Sequence, residues 1–375
     1  MRTASNRRLR VGMVGCGSIA QIAHLPNLVR LSHLFELVGV ADPSPSVSGW
    51  TAERFRTRGF GDHSELIEAG AEALVVASPH AAHAQVLDDA ITQRIHVLVE
   101  KPLCVASQDA RTVAARAEQQ ATVVQVGYMK RHDDAFAALS EDLASADVTL
   151  LSIRAATVEG ADLHRSFQPA GMPTATDATQ AQRAQWRESE REQMRAAVGT
   201  DEEDDIAVYR GLFLADFVHD LNLAHGVLAA MDVRPGSEHT ARWWNQGRAG
   251  FLRFSTSSHV ACSIDYVQIP GRTEYDEEFI VVTDRAVHRL RFPAPYLERA
   301  PTLYERRSQT DTAVTVRAFR SLREPFATEL ERFHASVFDG APCLTPAGDA
   351  VADLVSLERC FQAGRREMLE LGERR

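Results

Sequence analysis

The sequence predicts an α/β protein with two domains: a doubly wound parallel sheet, and then an α/β domain with an open, mostly antiparallel sheet. From residue 9 to about 127, short apolar strands alternate with helical stretches, the pattern of a parallel sheet covered by helices. Beyond residue 148, strand-like runs follow one another without intervening helices, which favours antiparallel pairing. A chain of 375 residues is long enough for both cores. We place the domains at 1–130 and 131–375.

The first domain is expected to contain five strands, at 9–14, 36–41, 73–77, 95–99 and 122–126, with helices at about 18–31, 48–58, 62–69, 80–91 and 107–120. Ligands of such sheets bind outside the carboxyl ends of the strands. That rule selects the residues that follow four of these strands: Asp42, Ser78-Pro79-His80, Glu100-Lys101-Pro102 and Gly127-Tyr128.

The second domain is expected to contain strands at 148–158, 249–254, 259–268, 277–283, 287–292 and 313–319, with helices at about 211–231, 325–339 and 347–370. The last two helices are amphipathic, and they can pack back on the first domain. A broad sheet covered by helices on one face needs a partner for its other face. We therefore expect a homodimer or homotetramer formed through this sheet.

Residues 160–205 break both patterns and are interpreted as an insertion. The segment ends in the acidic run 201–205, and Ala178–Ala197 can form a polar helix with Arg/Glu pairs at i,i+4. Two interpretations of the insertion stay open. In the first it has a role, either as a lid over the cleft or as an arm for oligomerisation. In the second it is a solvated helix without a role.

Composition excludes several classes of function. The net charge of −10 argues against nucleic acid or an anionic membrane as partner, and 45% hydrophobic with 25% charged residues is ordinary for a soluble enzyme. The five cysteines show no C-x-x-C spacing, so neither disulfides nor a zinc site is expected. The basic run at 7–10 precedes a glycine-containing strand rather than a signal-peptide core, and no long apolar run follows. We expect a cytoplasmic protein.

The run from Val11 to Ala20 is the most informative motif. It is predicted to be a buried strand followed by a glycine-rich turn and a helix, which places backbone N–H groups where a pyrophosphate can bind. Gly15 permits the tight turn, Gly17 permits close approach of the phosphates, and Ala20 is the third small residue. Ser18 and Ile19 open the helix. The alternative interpretation is a purely structural turn.

Asp42 ends the second strand, close to the ~20-residue offset at which an acid binds the adenosine ribose. The alternative role is a helix cap. Pro43 and Ser44 follow it, with no adjacent Arg to receive a 2′-phosphate. The expected cofactor is therefore NAD rather than NADP.

Glu100-Lys101-Pro102 directly follows the strand whose end should meet the nicotinamide ring. The Lys101 ammonium can stabilise charge that develops on a substrate oxygen during hydride transfer. Glu100 can hold this ammonium in place, and the Pro102 peptide bond is a candidate for the cis form. The alternative for Lys101 is a surface side chain after an edge strand.

These motifs resemble the Gfo/Idh/MocA oxidoreductases, the glucose–fructose oxidoreductase and inositol dehydrogenase relatives. The resemblance rests on the glycine loop, Asp42, Ala77-Ser78-Pro79 with His83, Glu100-Lys101-Pro102, 127–131 and the closing pattern at 324–340. It implies a Rossmann domain, a C-terminal domain that forms dimers or tetramers, and NAD(P)-dependent chemistry on sugars or cyclitols. It also implies that Lys101 is the catalytic lysine and that Ser78, Pro79 and His83 belong to the cofactor site.

By the same resemblance, His219 is the catalytic histidine, suited to exchange a proton with a substrate hydroxyl near neutral pH. The family usually has an Asp four residues earlier, where this chain has Ala215; Asp216 stands three residues before and Asn222 three residues after His219. Both are substrate-binding candidates. The alternative for His219 is a structural helix histidine. No three ligands converge from this helix, so no metal is predicted.

The expected function is hydride transfer between NAD and a secondary alcohol or ketone of a sugar, amino sugar or cyclitol. Tyr128 and Arg131 are expected to contact substrate hydroxyls, although Lys130-Arg131 can also be a solvated pair. Two alternatives stay open: an NAD-dependent glycosidase that oxidises C3 transiently, and a non-enzymatic NAD(H)-sensing dimer.

Overall fold

The computed structural model describes residues 7–144, 147–161, 163–177 and 180–372. The chain forms two compact units. The first combines residues up to Tyr128 with Phe167–Ala197 and Phe326–Ala352. The second combines Met129–Ser166, Val198–Pro325 and the residues from Asp353 onward. Each unit contains one sheet, and the predicted fold class is confirmed; the predicted domain boundary at residue 130 stays a prediction.

The first unit contains a six-stranded parallel sheet with the order β3-β2-β1-β4-β5-β6. Its strands are β1 (Leu9–Val14), β2 (Phe35–Ala41), β3 (Gly59–Phe60), β4 (Ala73–Val76), β5 (His96–Glu100) and β6 (Val124–Gly127). Residues of β4 and β5 are almost wholly buried because helices cover both faces of a doubly wound sheet. Only the two-residue β3 was not predicted, since it is too short to show a periodicity.

Five helices of this unit connect these strands: α1 (Leu25–Arg30), α2 (Pro45–Phe55), α3 (His63–Glu68), α4 (His80–Thr92) and α5 (Ser107–Gln119). A π-helical segment, Ala20–His24, precedes α1. The α2 helix starts three residues before the predicted position because Ser44 caps it and Pro45 occupies its first turn, both favourable at a helix N-terminus.

Helix α10 (Pro325–Phe338) contributes to the core of the first unit. Its residues Ala327, Leu330 and Phe333 join the hydrophobic cluster around β1 and β2. Near the β6 edge, the Gln125 side chain donates a 3.0 Å hydrogen bond to the Glu329 carbonyl of this helix.

The second unit contains an eight-stranded sheet with the order β14-β13-β12-β11-β7-β10-β9-β8. Only β7 and β10 pair in parallel, so the predicted mostly antiparallel sheet is confirmed. The strands are β7 (Leu150–Gly160), β8 (Pro235–Trp244), β9 (Ala249–Thr256), β10 (Ala261–Ile269), β11 (Tyr275–Thr283), β12 (Ala286–Phe292), β13 (Leu303–Gln309) and β14 (Val314–Arg320). The sequence did not predict β8 and β13, whose polar residues interrupt the apolar alternation.

Helices α6 (Asp134–Ala144), α8 (Glu203–Val208), α9 (Val218–Ala230) and most of α11 (Ala347–Glu370) belong to this unit. The predicted helix at 211–231 is not one regular α-helix: a nine-residue π-helix, Tyr209–Phe217, joins α8 to α9. Its Phe213 packs edge-on against Phe217 and Phe361. Apolar periodicity does not distinguish π- from α-helical turns over so short a stretch.

The insertion predicted at 160–205 contains helix α7 (Gln180–Val198). Ala178, the predicted start of that helix, and residues 162 and 179 lie outside the described residues. Across the part of the chain that the structure describes, no helix has the length and apolar character needed to cross a membrane.

Candidate active site

The strand register brings four loops to one edge of the parallel sheet. The last residues of β1, β2 and β4 are aligned, since Val14 pairs with both Ala41 and Val76, and Val76 pairs with Val99 of β5. The loops that follow these strands carry the predicted cofactor residues. They therefore meet at the carboxyl edge, where ligands of such sheets bind.

The glycine loop has the backbone geometry that the motif predicts. Gly15 has φ +84°, and a Cβ there would lie 2.6 Å from the Ala77 oxygen and the Ser78 nitrogen. Both the left-handed conformation and this close packing require glycine. A Cβ on the exposed Gly17 would meet nothing within 4 Å, so its backbone is open to a ligand.

The helix that follows the loop presents backbone donors at its N-terminus. Its first i→i−4 hydrogen bond runs from the Gln21 N–H to the Gly17 oxygen, at 3.1 Å. The N–H groups of Ser18, Ile19 and Ala20 precede this bond and have no acceptor within the helix. This is the arrangement that binds a pyrophosphate at a helix N-terminus.

Asp42 is half-buried and accepts two backbone hydrogen bonds. Its Oδ2 accepts from the Cys16 N–H at 3.0 Å, and its Oδ1 accepts from the Ser44 N–H at 3.0 Å. A carboxylate has about four acceptor positions, so it can still accept from ribose hydroxyls. Burial, together with Asp42, raises the pKa of the Cys16 thiol to about 12. The thiol is therefore neutral beside the loop.

His83 lies on α4 and is wholly buried. Its Nδ1 lies 2.9 Å from the Pro102 carbonyl oxygen and its Nε2 lies 3.0 Å from that of Ser78. Burial lowers the pKa of His83 against the raising effect of these two carbonyls. The ring thus connects the loop after β4 to the loop after β5. Its predicted place in the cofactor site stays a prediction.

Glu100 is buried at the end of β5 and has two partners. Its Oε1 accepts a 2.7 Å hydrogen bond from Nε2 of the buried His24, and its Oε2 accepts from the Lys101 backbone N–H at 3.2 Å. Lys101 is half-buried, and the peptide bond between Lys101 and Pro102 is cis. Lys101 therefore follows β5 directly beside a carboxylate whose other oxygen is bonded to His24.

These residues of the first unit fit a dinucleotide. The helix donors suit a pyrophosphate, and Asp42 suits a ribose. Next to them, the buried Ser78 hydroxyl oxygen has no hydrogen-bond partner in the described structure. A buried polar atom without a partner is unfavourable unless a ligand or water satisfies it. Pro79, which precedes α4, completes this loop.

The candidate residues of the second unit lie around the π-helix and α9. His219 is half-buried in the first turn of α9. The Tyr266 hydroxyl donates its one proton to Glu159 Oε1 at 2.6 Å, and the Asp216 carboxylate lies within hydrogen-bonding reach of the same hydroxyl. Burial, with these two carboxylates, raises the pKa of the Tyr266 phenol, so it remains a donor.

Sequence reasoning missed a buried polar cluster in this unit, formed by Lys130, Asp220, Tyr275 and Glu277. Lys130 Nζ contacts Glu277 Oε1 and lies 3.9 Å from Asp220 Oδ1, while Tyr275 donates to Glu277 Oε2. Burial raises the pKa of Asp220, and Glu277 raises it further. Burial alone lowers the pKa of Lys130, but the two carboxylates raise it overall. The ammonium is therefore retained.

Burial also excludes the interpretation of Lys130-Arg131 as a solvated pair, since their exposures are 7% and 8%. Arg131 Nη1 donates to the Asn222 carbonyl at 3.3 Å. Asn222 is buried too, and its side-chain amide donates to Asp353 Oδ2 at 2.8 Å. Tyr128 is 2% exposed. Substrate contacts by Tyr128, Arg131, Asp216 and Asn222 stay predictions.

The structure thus brings together the first-unit residues at one sheet edge, and Asp216, Tyr266 and Glu159 in the second unit. The predicted convergence of Lys101 and His219 on one substrate stays a prediction. No group of three or more metal-ligating side chains occurs among the residues that the structure describes.

Comparisons with known proteins find a family similarity in the first part of the chain. Residues 9–128 match the model of the Gfo/Idh/MocA family, described as an oxidoreductase family with an NAD-binding Rossmann fold. An inositol 2-dehydrogenase of Rubrobacter xylanophilus is 37% identical over 145 residues, covering 38% of this chain and 42% of that protein. The match therefore spans about two fifths of that relative's length.

Solved structures extend the similarity in fold to nearly the whole chain. A UDP-N-acetylglucosamine 3-dehydrogenase from Acidithiobacillus ferrooxidans aligns with a TM-score of 0.71 at 15% identity, covering 96% of this chain and 99% of that one. A 3-ketoreductase from Actinomadura kijaniata, solved in complex with NADP, aligns with a TM-score of 0.70 at 17% identity, covering 96% and 98%. At these identities, the likeness shows a shared fold.

Proposed function

We propose that this chain, whose residues 9–128 match the model of the Gfo/Idh/MocA oxidoreductase family, is an NAD-dependent dehydrogenase or ketoreductase. It acts on a secondary alcohol or ketone of a sugar, amino sugar or cyclitol. The observation that carries the proposal is the arrangement of the glycine loop, Asp42 and Glu100-Lys101 after neighbouring strands at one sheet edge.

The cofactor residues have separate roles in this proposal. The N–H groups of Ser18–Ala20 bind the pyrophosphate, Asp42 binds the adenosine ribose, and Ser78-Pro79 lies beside the nicotinamide. A nicotinamide dinucleotide bound there supplies the hydride acceptor, or the donor in the reverse direction.

Lys101 and His219 carry the proton and charge chemistry. Oxidation of an alcohol removes a hydroxyl proton as negative charge develops on that oxygen. The His219 imidazole accepts the proton, because its ordinary pKa lies near neutral pH. The Lys101 ammonium stabilises the developing alkoxide. Glu100 is a positioning residue, since His24 fixes its carboxylate next to Lys101.

The polar groups of the second unit favour a polyhydroxylated substrate. Asp216 and Glu159 both lie within hydrogen-bonding reach of the Tyr266 hydroxyl, so acceptors and a donor lie close together, as hydroxyl recognition requires. The names of the relatives support the same class, since one is an inositol 2-dehydrogenase and another a UDP-N-acetylglucosamine 3-dehydrogenase. We also propose that the protein forms a homodimer or homotetramer and that it is located in the cytoplasm.

The experiment that tests the proposal is a spectrophotometric screen. The protein is incubated with NAD and a panel of sugars, amino sugars and cyclitols, and absorbance of the reduced cofactor is followed. We expect accumulation with at least one polyol. Sugar release without reduced cofactor would instead support the glycosidase, and dinucleotide binding without any turnover would support a sensor.

Replacing Lys101 tests its role directly. Lys101→Ala should lower the rate of the chemical step by about 10²-fold or more while NADH affinity changes little, because the ammonium acts on developing charge. Single-turnover kinetics and NADH titration measure the two effects. The exposed Arg111→Ala removes a cation from the same unit and serves as control. Equal single-turnover rates in Lys101→Ala and the original protein would refute the role.

A further inference from the structure

Residues Phe167–Ala197, here called the strap, belong to the first compact unit and contact the loops of the cofactor edge. Gln168 Nε2 donates to the Ser18 hydroxyl in the glycine loop, at 2.7 Å. Gln193 Nε2 donates to the Ala81 carbonyl at the start of α4, at 2.8 Å. These contacts tie the strap to the glycine loop and to the loop after β4.

A third contact joins the strap to the loop after β2. The Ser44 hydroxyl donates to Asp177 Oδ1 at 2.5 Å, and the Ser46 backbone N–H donates to Asp177 Oδ2 at 2.8 Å. These two hydrogen bonds lower the pKa of Asp177 to about 2. The carboxylate is therefore charged throughout the neutral range. It is a fixed negative charge brought to this loop from 131 residues away in sequence.

The donors that Asp177 uses are those of an anion site. Ser44 caps the eleven-residue helix α2, and Ser46 is the second residue of that helix, after Pro45, which has no N–H. A helix N-terminus with a hydroxyl and an exposed N–H group is favourable for a phosphate. Here the exposed Asp177 carboxylate of the same chain already occupies both donors.

The Asp177 carboxylate lies next to the predicted binding site for the adenosine ribose of the cofactor. Ser44 also donates its backbone N–H to Asp42, the predicted ribose ligand, at 3.0 Å. Two carboxylates therefore contact the same serine, Asp42 at its nitrogen and Asp177 at its hydroxyl. In dinucleotide-binding folds, the residues next to this acid contact either a ribose 2′-hydroxyl or the 2′-phosphate of NADP.

We propose that Asp177 is a specificity-determining residue that selects NAD(H) against NADP(H). It occupies the Ser44 and Ser46 donors that a 2′-phosphate would need, and it places a second negative charge beside Asp42. An incoming phosphate meets like-charge repulsion, and the Ser44 hydroxyl and Ser46 N–H are already bonded to Asp177, which disfavours the wrong ligand strongly. A 2′-hydroxyl is neutral, and Asp42 can accept from it. This inference rests on the proposed function, since it assumes that the edge binds a dinucleotide.

Equilibrium binding tests the inference without requiring a substrate. NADH and NADPH are titrated into the full chain, and Kd is obtained from the dinucleotide fluorescence. The original protein should bind NADH more tightly than NADPH. Asp177→Asn, which removes the charge with little change in shape, should lower the Kd for NADPH about tenfold. Its Kd for NADH should change by less than about threefold.

Two control variants distinguish the effect of the Asp177 charge from a general effect of the strap on cofactor binding. Glu188→Gln removes an exposed carboxylate from the same strap, and Gln168→Ala removes the contact to Ser18 without changing charge. Both should leave the ratio of the two Kd values unchanged, and thermal unfolding verifies that each variant folds. If NADH binds but the ratio is the same in Asp177→Asn and the original protein, the inference is wrong while the proposed function stands. If the original protein binds neither dinucleotide, the proposed function itself fails.

Discussion

Gly15 and Gly17 stand two residues apart in the same loop, yet the structure requires them for different reasons. Gly15 has a positive φ, and a Cβ would lie 2.6 Å from backbone atoms of the neighbouring loop. Gly17 has neither restriction, because a Cβ there meets nothing within 4 Å. The first glycine is therefore needed by the fold, and the second is needed only when a ligand approaches.

Alanine substitutions should separate these two roles. Gly15→Ala should lower the free energy of unfolding by about 2 kcal/mol or more, from the unfavourable φ and the close backbone contact. Gly17→Ala should change it by less than about 1 kcal/mol but raise the Kd for NADH about tenfold, because its methyl group faces the pyrophosphate. Urea unfolding and NADH titration measure both quantities. Equal loss of stability in the two variants would contradict this division.

The role of a residue could be predicted from the sequence where a local pattern indicates it. The role could not be predicted where it depends on a partner that is distant in sequence. The glycine loop, Asp42 and Lys101 each follow a strand, and the strands show clearly in the sequence. Lys130 looks like half of a solvated basic pair, because its partner Glu277 stands 147 residues away. Asp177 is similar, since its serine partners follow β2.

At the scale of elements, the buried polar cluster of the second unit is assembled from side chains of several helices and strands. Lys130 comes from a short 3₁₀ helix, Asp220 from α9, and Tyr275 and Glu277 from β11. Asp220 Oδ2 also accepts from Thr157 of β7 at 3.2 Å. Each buried charge thus has a partner from another element. Such a cluster is costly when one member is removed, because the remaining charges lose their compensation.

Lys130→Met tests this dependence through its pH profile. The variant should lose about 3 kcal/mol of unfolding free energy at neutral pH, because Asp220 and Glu277 remain buried without their cation. Burial raises the folded-state pKa of the Asp220 carboxyl above the unfolded value. Stability is then greatest at acid pH and is lost as the pH rises through the raised pKa. Urea unfolding across the pH range measures this.

The matched control adds Glu277→Gln to Lys130→Met. One buried charge is then removed together with its partner, so much of the lost stability should return and the pH dependence should weaken. An unchanged pH profile in Lys130→Met would show that the carboxylates do not depend on the ammonium.

Strands could be predicted from the sequence where their residues follow a regular pattern of burial. Strand β4 is buried throughout and β5 at four of its five positions, and both stand out as apolar runs. In contrast, β8 buries only two of its ten residues and β13 only one of its seven, and both strands carry charges, so their pairing with neighbours defines them rather than their composition. The π-helix at Tyr209–Phe217 likewise depends on tertiary packing of its aromatic residues, which local propensity does not encode.

At the scale of the whole molecule, the eight-stranded sheet raises the question of what covers its second face. One face is buried beneath helices and includes Ile153, Val281 and Leu290, each at 0% exposure. The strand register places Val158 beside Val267, and Val287 in line with Val316, on the opposite face. These four valines are 36% to 56% exposed. A face that mixes exposed aliphatic side chains with charges is suited to association.

We therefore expect this face to form the interface of a homodimer or homotetramer. Because a stable interface buries at least about 1,000 Å², glutamates at its centre should disrupt it. Val158→Glu with Val267→Glu should shift the protein to a monomer, measured as molar mass by light scattering coupled to size-exclusion chromatography. Leu369→Glu alters a more exposed apolar residue, which lies on helix α11 instead of on a strand of the sheet, and should leave the mass unchanged. If the original protein is a monomer at micromolar concentration, the exposed valines have no such partner. If the double variant has the same mass as the original oligomer, the interface lies elsewhere.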